Sequence, residues 1–297
     1  MSVSSKNSHQ ELLKTLQNRV EEKLTTILNH QSNAFPKLQQ AMAYSVLGGG
    51  KRIRALFVYC TGLCFNTDLT LLDNAACAVE LIHAYSLIHD DLPAMDDAPL
   101  RRGKPSCHLA FDEATAILAG DALLPLAFEL LAEQNHPQSS AIISVLAKAI
   151  GPNGMVLGQM LDLFLPVDSI DAKQIEWLHH KKTGELFAAS VIIGALNANC
   201  QNDVILSALN EYAFLSGLAF QIHDDILDIE IPTEQLGKVQ GKDSQFNKPT
   251  YPIIVGMDKA KAEVKLLFNK AKSKLISLDI NTESLMTMVD FLEQRVY

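Results

Sequence analysis

LLDNAACAVELIHAYSLIHDDLPAMDD, residues 71–97, runs an apolar segment straight into four carboxylates, and its reading decides the fold. Between Leu71 and His89 apolar side chains fall on nearly every side of a helical wheel, among them Leu72, Ala75, Val79, Ile82, Leu87 and Ile88. A helix apolar all round belongs at the centre of a helical protein. Glu80, His83, Ser86 and His89 recur every three residues within it, a polar line available to a cavity, although His83 by itself reads as a hydrogen-bonded core histidine. Pro93 cannot donate the helical hydrogen bond, so Asp90, Asp91, Asp96 and Asp97 straddle a helix end. Asp90 and Asp96 are then expected to converge by backbone distortion, not by helical periodicity.

Carboxylates so crowded need a counter-charge, because two like charges ~4 Å apart repel by ~1 kcal/mol in water and ~4 kcal/mol near a protein surface. Asp224-Asp225-Ile226-Leu227-Asp228 repeats the arrangement at the end of the apolar segment that starts at Ile205. No proline intervenes there, so Asp224 and Asp228 share a helix face, with Gln221 one turn earlier beside them. Two such clusters facing one cavity make a cage of hard oxygens suited to Mg²⁺ bound to phosphate. Neither run has the alternating spacing and central glycine of an EF-hand loop.

Basic residues come in small knots beside glycines. Gly48-Gly49-Gly50-Lys51-Arg52-Ile53-Arg54 ends one helix and opens the next with three cations, which oppose the helix dipole unless an anion lies between them and the free N–H groups. A plain glycine C-cap is the alternative. Arg101-Arg102-Gly103-Lys104-Pro105 lies within reach of the first acids, either as salt bridges to them or as forks for phosphate. Gln159 and Asp162 share a helix face, and Asp121, inside the helical segment from Glu113 to Leu131, supports structure. Asp171 is a natural N-cap for the helix that leads to Lys181-Lys182-Thr183-Gly184, where a Thr-Gly step loosens the backbone. The polar stretch from Ile231 to Pro252 reads as a lid that supplies lysines, Lys238 and Lys248 among them.

Outside these knots the pattern is amphipathic helix, at 11–28, 36–47, 259–276 and 283–294, and no convincing alternating strand appears. The architecture is therefore all-α. A net charge of −9 on 297 residues disfavours nucleic acid as a partner. Cys60, Cys64, Cys77, Cys107 and Cys200 are odd in number and form no CxxC pair, which reads as core thiols in a reducing compartment. The N-terminus lacks a signal-peptide block, and Asp121, Glu129 and Asn197 interrupt the longest apolar stretches, so the expectation is a cytoplasmic protein without stable membrane insertion.

Taken in order, Gly-Gly-Lys-Arg-Ile-Arg (49–54), His83, Asp-Asp-Leu-Pro-Ala-Met-Asp-Asp (90–97), Arg-Arg-Gly-Lys-Pro (101–105), Lys-Thr-Gly (182–184), Phe-Gln-x-x-Asp-Asp-Ile-Leu-Asp (220–228) and Leu-Gly-Lys (236–238) form a series. On these motifs the chain resembles the trans-isoprenyl diphosphate synthases, most closely the bacterial farnesyl diphosphate synthases, over about Gly48 to Pro252. The resemblance implies one polyprenyl synthase domain over 1–297, long antiparallel helices around an apolar cavity, and a homodimer. It implies three Mg²⁺ ions held mainly by Asp90, Asp96 and Asp224, with Asp91, Asp225 and Asp228 close by. Arg101, Lys182, Lys238 and Lys248 match the contacts to an allylic diphosphate, dimethylallyl or geranyl. Lys51, Arg54, His83 and Arg102 match the site for isopentenyl diphosphate.

By the same resemblance the carbonyl side of Lys182, the Thr183 hydroxyl and the Gln221 amide stabilise an allylic cation, and no side-chain base is implied. Tyr85 lies five positions before Asp90, beside Ser86, where an aromatic goes with a C15 product and a small residue with longer chains. Geranylgeranyl diphosphate synthesis is the alternative, ahead of a terpene cyclase or a non-catalytic subunit, because both acidic clusters are whole and cations for a second diphosphate are present. Ala98-Pro99, Leu157 and Asn247-Lys248-Pro249 depart from the family pattern without removing an expected metal ligand.

Overall fold

Apolar periodicity becomes helix almost throughout. The computed structural model describes residues 3–30, 35–165, 170–230 and 250–295. Helices α1 (Val3–Asn29), α2 (Pro36–Val46), α3 (Ile53–Leu63) and α4 (Asp73–Asp90) come first, α2 opening on a proline that is pre-set for a first helical turn. A two-stranded hairpin, β1 (Leu100–Arg101) and β2 (Lys104–Pro105), then pairs antiparallel, and its turn residues Arg102 and Gly103 both take positive φ. No strand was expected here, since two-residue strands carry no alternation to read.

Next come α5 (Cys107–Ala110), α6 (Glu113–Glu133), α7 (Ser139–Ile150), α8 (Met155–Phe164) and α9 (Ala172–His179). The expected N-cap at Asp171 is a full capping box with Gln174. After α9 the rod passes through a π-helical turn, His180–Gly184, into α10 (Glu185–Asn197). The long α11 (Asp203–Glu230), α12 (Tyr251–Val255), α13 (Met257–Ile276) and α14 (Glu283–Glu293) complete the described chain.

α4 is central, packing along α6 and against α3, while α10 lies between α3 and α11, and α13 covers the outer side of α11. Buried side chains from Leu13 to Leu292 form one continuous core. At its centre Phe57 meets Phe187 edge-on at 5.1 Å, and Phe187 meets Phe220 at 5.2 Å, contacts worth ~0.5–1.5 kcal/mol each beyond burial. The N-terminal Asp73 of α4 is buried, held by Arg19 at 2.6 Å, Lys23 at 3.0 Å and the Tyr59 hydroxyl at 2.8 Å. Burial opposes its charge, but these partners outweigh it and keep the carboxyl below its usual range.

All five cysteines are buried and unpaired with one another, as read. Against the expectation from Asp121 and Glu129, Glu113–Glu133 is long and apolar enough to cross a membrane, as is the run Ser139–Phe164. In this fold the first of these packs along α4.

Candidate active site

α4 stops at Asp90, and the chain turns back on itself: the Asp96 N–H donates to the Asp90 carbonyl at 2.9 Å and the Ala98 N–H to that of Asp91 at 3.2 Å. This is the distortion foreseen from Pro93. It sets Asp90 and Asp91 inside the protein and leaves Asp96 partly exposed above them. Arg101 grips Asp91 from the hairpin, its Nη2 2.5 Å from Oδ1 and its Nε 3.1 Å from both oxygens. Gln159 Nε2 donates to Asp90 Oδ1 at 2.5 Å. Lys182 Nζ lies 2.9 Å from Asp162 and 3.7 Å from Asp90, and although burial opposes its charge these carboxylates raise its pKa. The shared face of Gln159 and Asp162 was visible in the sequence, but their part in holding Asp90 and Lys182 was not.

Lys182 and Thr183 sit in the π turn, which bears out the loosening expected at the Thr-Gly step. α8 crosses this turn at Gly158, where an added Cβ would come within 2.3 Å of the Lys182 nitrogen, so only glycine admits the close approach. Thr183 Oγ1 donates to Gln221 Oε1 at 3.0 Å, linking the turn to α11. Gln221 Nε2 in turn donates to Asp225 at 3.3 Å. Sequence reading set Gln221 beside Asp224 and Asp228; its bonded acid is Asp225, exactly one i,i+4 step on.

Asp225 and Asp228 are buried, and Asp225 also accepts from His179 Nε2 at 3.2 Å and from the Tyr251 N–H at 3.0 Å. Asp224 is partly buried and pairs with Arg295, whose guanidinium lies 4.5 Å from the Phe220 ring centre. A lone arginine near the C-terminus carries no local motif, and sequence reading missed it.

The glycine-rich stretch builds the second charged patch. Gly49 and Gly50 take φ of +92° and +130°, and Gly50 lies against the Arg102 guanidinium. Arg52 follows at φ +51° and turns inward to Glu21 at 2.7 Å and Glu80 at 3.4 Å. Of the three cations read as an anion site, Arg52 is thus a core ion pair. Arg54 lies over the Phe187 ring at 5.3 Å, its Nε without a hydrogen-bond partner among the described residues. Burial, against the pull of Glu80 and with the help of Arg102, brings Arg54 down to about 10. Burial and Arg295, against Asp224, bring Lys51 down to about 8. Arg102 is lowered by burial and by Arg52, and His83 is held far below its usual range by burial and by Arg54 and Arg102. Mutually depressed cations mark a place for an anion.

The polar line on α4 does not hold together, because three residues fall short of the ~3.6 of a turn and the line drifts. Glu80 turns to Arg52 and the Ala55 N–H, while His89 meets the Ile117 carbonyl of α6 at 3.1 Å and Tyr85 edge-on at 5.0 Å. Asp121 is exposed and 3.9 Å from His89, in keeping with a structural role. The Ser86 hydroxyl donates to the His83 carbonyl at 2.8 Å. Among the described residues no three His, Cys, Asp or Glu side chains gather into a ready-made metal cage, so the expected cage is not preformed by the protein alone. Lys238, Lys248 and the lid expected at 231–252 lie outside the described residues, apart from the last three positions.

Comparison with known proteins follows the same lines. The polyprenyl synthetase family model matches residues 35–281. The farnesyl diphosphate synthase of Escherichia coli K12 is 46% identical over 264 residues, 86% of this chain and 88% of that one. A geranyltransferase structure from Legionella pneumophila superposes with TM-score 0.87 at 36% identity, covering 97% of this chain and 98% of the other. One from Helicobacter pylori, complexed with magnesium and isoprenyl diphosphate, gives TM-score 0.83 at 32% identity over 94% and 95% of the two chains.

Proposed function

The chain belongs to the polyprenyl synthetase family, and from that premise we propose that it condenses isopentenyl diphosphate head to tail with dimethylallyl and then geranyl diphosphate, giving farnesyl diphosphate. It is a prenyltransferase. Two charge clusters of opposite kind carry this reading. Asp90, Asp91 and Asp96, laced with Arg101 and Lys182, suit an allylic diphosphate held through metal; Lys51, Arg54, His83 and Arg102 suit a second diphosphate held directly.

Mg²⁺ fits the first cluster by donor chemistry. Its ligands there are hard carboxylate oxygens, and Mg²⁺ binds through one or two carboxylates with substrate phosphate and water completing the shell, so no closed protein cage is needed. Asp90, Asp96 and Asp224 are the principal candidates for three ions, with Asp91 and Asp228 beside them. When bound, the metal neutralises the charge that develops on the leaving diphosphate.

The rest falls to the chain. Breaking the allylic carbon–oxygen bond leaves a cation and diphosphate, so the site needs positive charge around the phosphate and no nucleophile near the carbon. Arg101 and Lys182 supply charge, and Lys238 and Lys248 are further candidates. The Thr183 hydroxyl oxygen, the Lys182 carbonyl and the Gln221 amide present dipoles to the cation. Lys51, Arg54, His83 and Arg102 orient isopentenyl diphosphate so that its double bond attacks, and the released diphosphate takes the proton. Apolar walls of α4 and α6 exclude water, and Tyr85 with Ser86 limits the chain.

We further read the protein as one domain over 1–297, cytoplasmic and homodimeric. The exposed apolar side chains Leu109, Leu118, Met160 and Phe164 support the dimer. Mass analysis of products from purified protein, Mg²⁺, isopentenyl diphosphate and dimethylallyl diphosphate tests the function. A C15 diphosphate that vanishes on chelation is expected. A C20 product would overturn the chain length, and no condensation would overturn the activity.

A further inference from the structure

Away from the acids, α9, α11 and α13 enclose a groove of about 1030 Å³, at the upper end of the ~300–1,000 Å³ typical of ligand pockets. Its floor is apolar: Trp177 of α9, Phe214 and Leu218 of α11, and Leu266 of α13. Trp177 and Leu266 are each 45% exposed, so the groove presents contiguous apolar surface to solvent. Lys173 stands on one rim, and Lys270 and Lys274 on the other. Lys274 pairs with Glu211, whereas no ion pair among the described residues engages Lys173 or Lys270. Glu176, the other acid at the groove, accepts from the Tyr251 hydroxyl at 3.1 Å. In a chain of net charge −9, cations on both lips of an apolar trough form a local exception.

We infer that this groove is a second, non-catalytic binding site for a single-tailed anionic amphiphile, and that its occupant is the C15 prenyl diphosphate product. The identity of the occupant rests on the function proposed above. Charge complementarity selects the head, because Lys173 of α9 and Lys270 of α13 give the groove cations from two helices. The apolar floor selects the tail, whose burial covers the exposed faces of Trp177 and Leu266. The site is separate from the reaction but shares a wall with it. His180 and Lys181 line the groove, and of the next two residues of the same π turn Lys182 meets Asp90 and Asp162 while Thr183 meets Gln221. His180 stacks on Phe214 at 4.0 Å with planes 10° apart, so the groove floor bears directly on that turn.

Trp177 is the one tryptophan of the chain and reports on the groove without a label. Farnesyl diphosphate is titrated into the full-length protein in the presence of chelator, which disables metal-dependent binding, while emission is followed. The expected result is a saturable blue shift whose midpoint weakens about tenfold or more in the Lys173→Glu/Lys270→Glu variant, with circular dichroism and condensation rate unchanged. Inorganic diphosphate should give no shift. No shift with farnesyl diphosphate, a shift indifferent to the double variant, or an equal shift with inorganic diphosphate would each overturn the site. A shift produced by raising protein concentration alone would also overturn it, in favour of a second copy as occupant. Condensation measured on the same preparation keeps the two readings apart: active protein with silent Trp177 rejects the groove alone, and a specific shift without condensation supports an amphiphile site while rejecting the proposed reaction.

Discussion

Thr183 Oγ1 and Gln221 Oε1, 3.0 Å apart, fasten the π turn to α11 between the two acidic clusters. The bond uses the Thr183 proton, so the hydroxyl lone pairs stay available to a positive centre, and it fixes the orientation of the Gln221 amide. Thr183→Val keeps the shape and removes the oxygen. Turnover should fall by about 10- to 100-fold, near or below the loss seen when one preorganised dipole is deleted, with KM little changed and a stability loss of about 1–3 kcal/mol as Gln221 Oε1 loses its donor. Thr183→Ser should restore most of the rate in the same steady-state assay.

Gly158 sets the distance between α8 and the π turn. In Gly158→Ala the new methyl meets backbone, the Lys182 nitrogen at 2.3 Å and its Cα at 2.4 Å, and no flexible side chain can give way. Thermal unfolding should report a loss of about 1–3 kcal/mol, the usual range for overpacking. Activity should fall further than the stability loss explains, because Lys182 moves with the turn.

Lys51 is a cation held against its preference. Burial and Arg295 depress its folded pKa to about 8, below the value of an unfolded lysine. Between these two values the unfolded chain binds more protons, so this residue makes stability rise with pH across that window, and its charge is unfavourable to folding below about 8. Lys51→Met should therefore melt at a higher temperature than wild type at pH 7 while losing affinity for isopentenyl diphosphate. In wild type, KM for isopentenyl diphosphate should climb above about pH 8 as the charge is lost, and Lys51→Arg should flatten that limb.

Tyr85 packs edge-on against His89 on the side of α4 that meets α6. Truncating it in Tyr85→Ala opens space along that seam. Product mass should move from C15 toward C20, and an unchanged C15 product would place the floor at another residue.

Asp90→Ala and Asp224→Ala should each abolish turnover in a product assay while circular dichroism stays native. Loss of Asp90 leaves Lys182 paired with Asp162, and loss of Asp224 releases one partly buried pair with Arg295 at the end of the described chain, so neither change should unfold the protein. Near-normal rates in either variant would refute the metal role.

Helix positions were legible because core-facing residues repeat with helical period, and α4 could be placed at the centre from its all-round apolar surface. The convergence of Asp90 on Asp96 followed from one proline. Arg52 was misread because the positive φ of Gly49, Gly50 and Arg52 decides which way each cation points, and backbone dihedrals leave no mark on residue order. Arg295 and Gln159 were missed as partners of Asp224 and Asp90 because they come from 71 and 69 residues away. Spacing rules reach only a few turns along one helix. The Gln221–Asp225 bond lies within that reach, but spacing alone does not say which of the neighbouring acids the amide bonds.

The π turn at 180–184 is also a phase shift in the rod formed by α9 and α10. An α-helix advances ~100° per residue, and the wider i→i+5 turn absorbs about one extra residue without breaking the rod. Side chains before and after it are therefore out of step by about one position, which is how Trp177 opens to the outer groove while Thr183 meets Gln221 inside. The consequence is a rule about number. Deleting one residue within 180–184 would let the turn close to plain α-helix with the two halves of the rod still aligned, but it would erase the bulge that places Lys182 and Thr183. Residue count across 180–184 is thus under a constraint of its own.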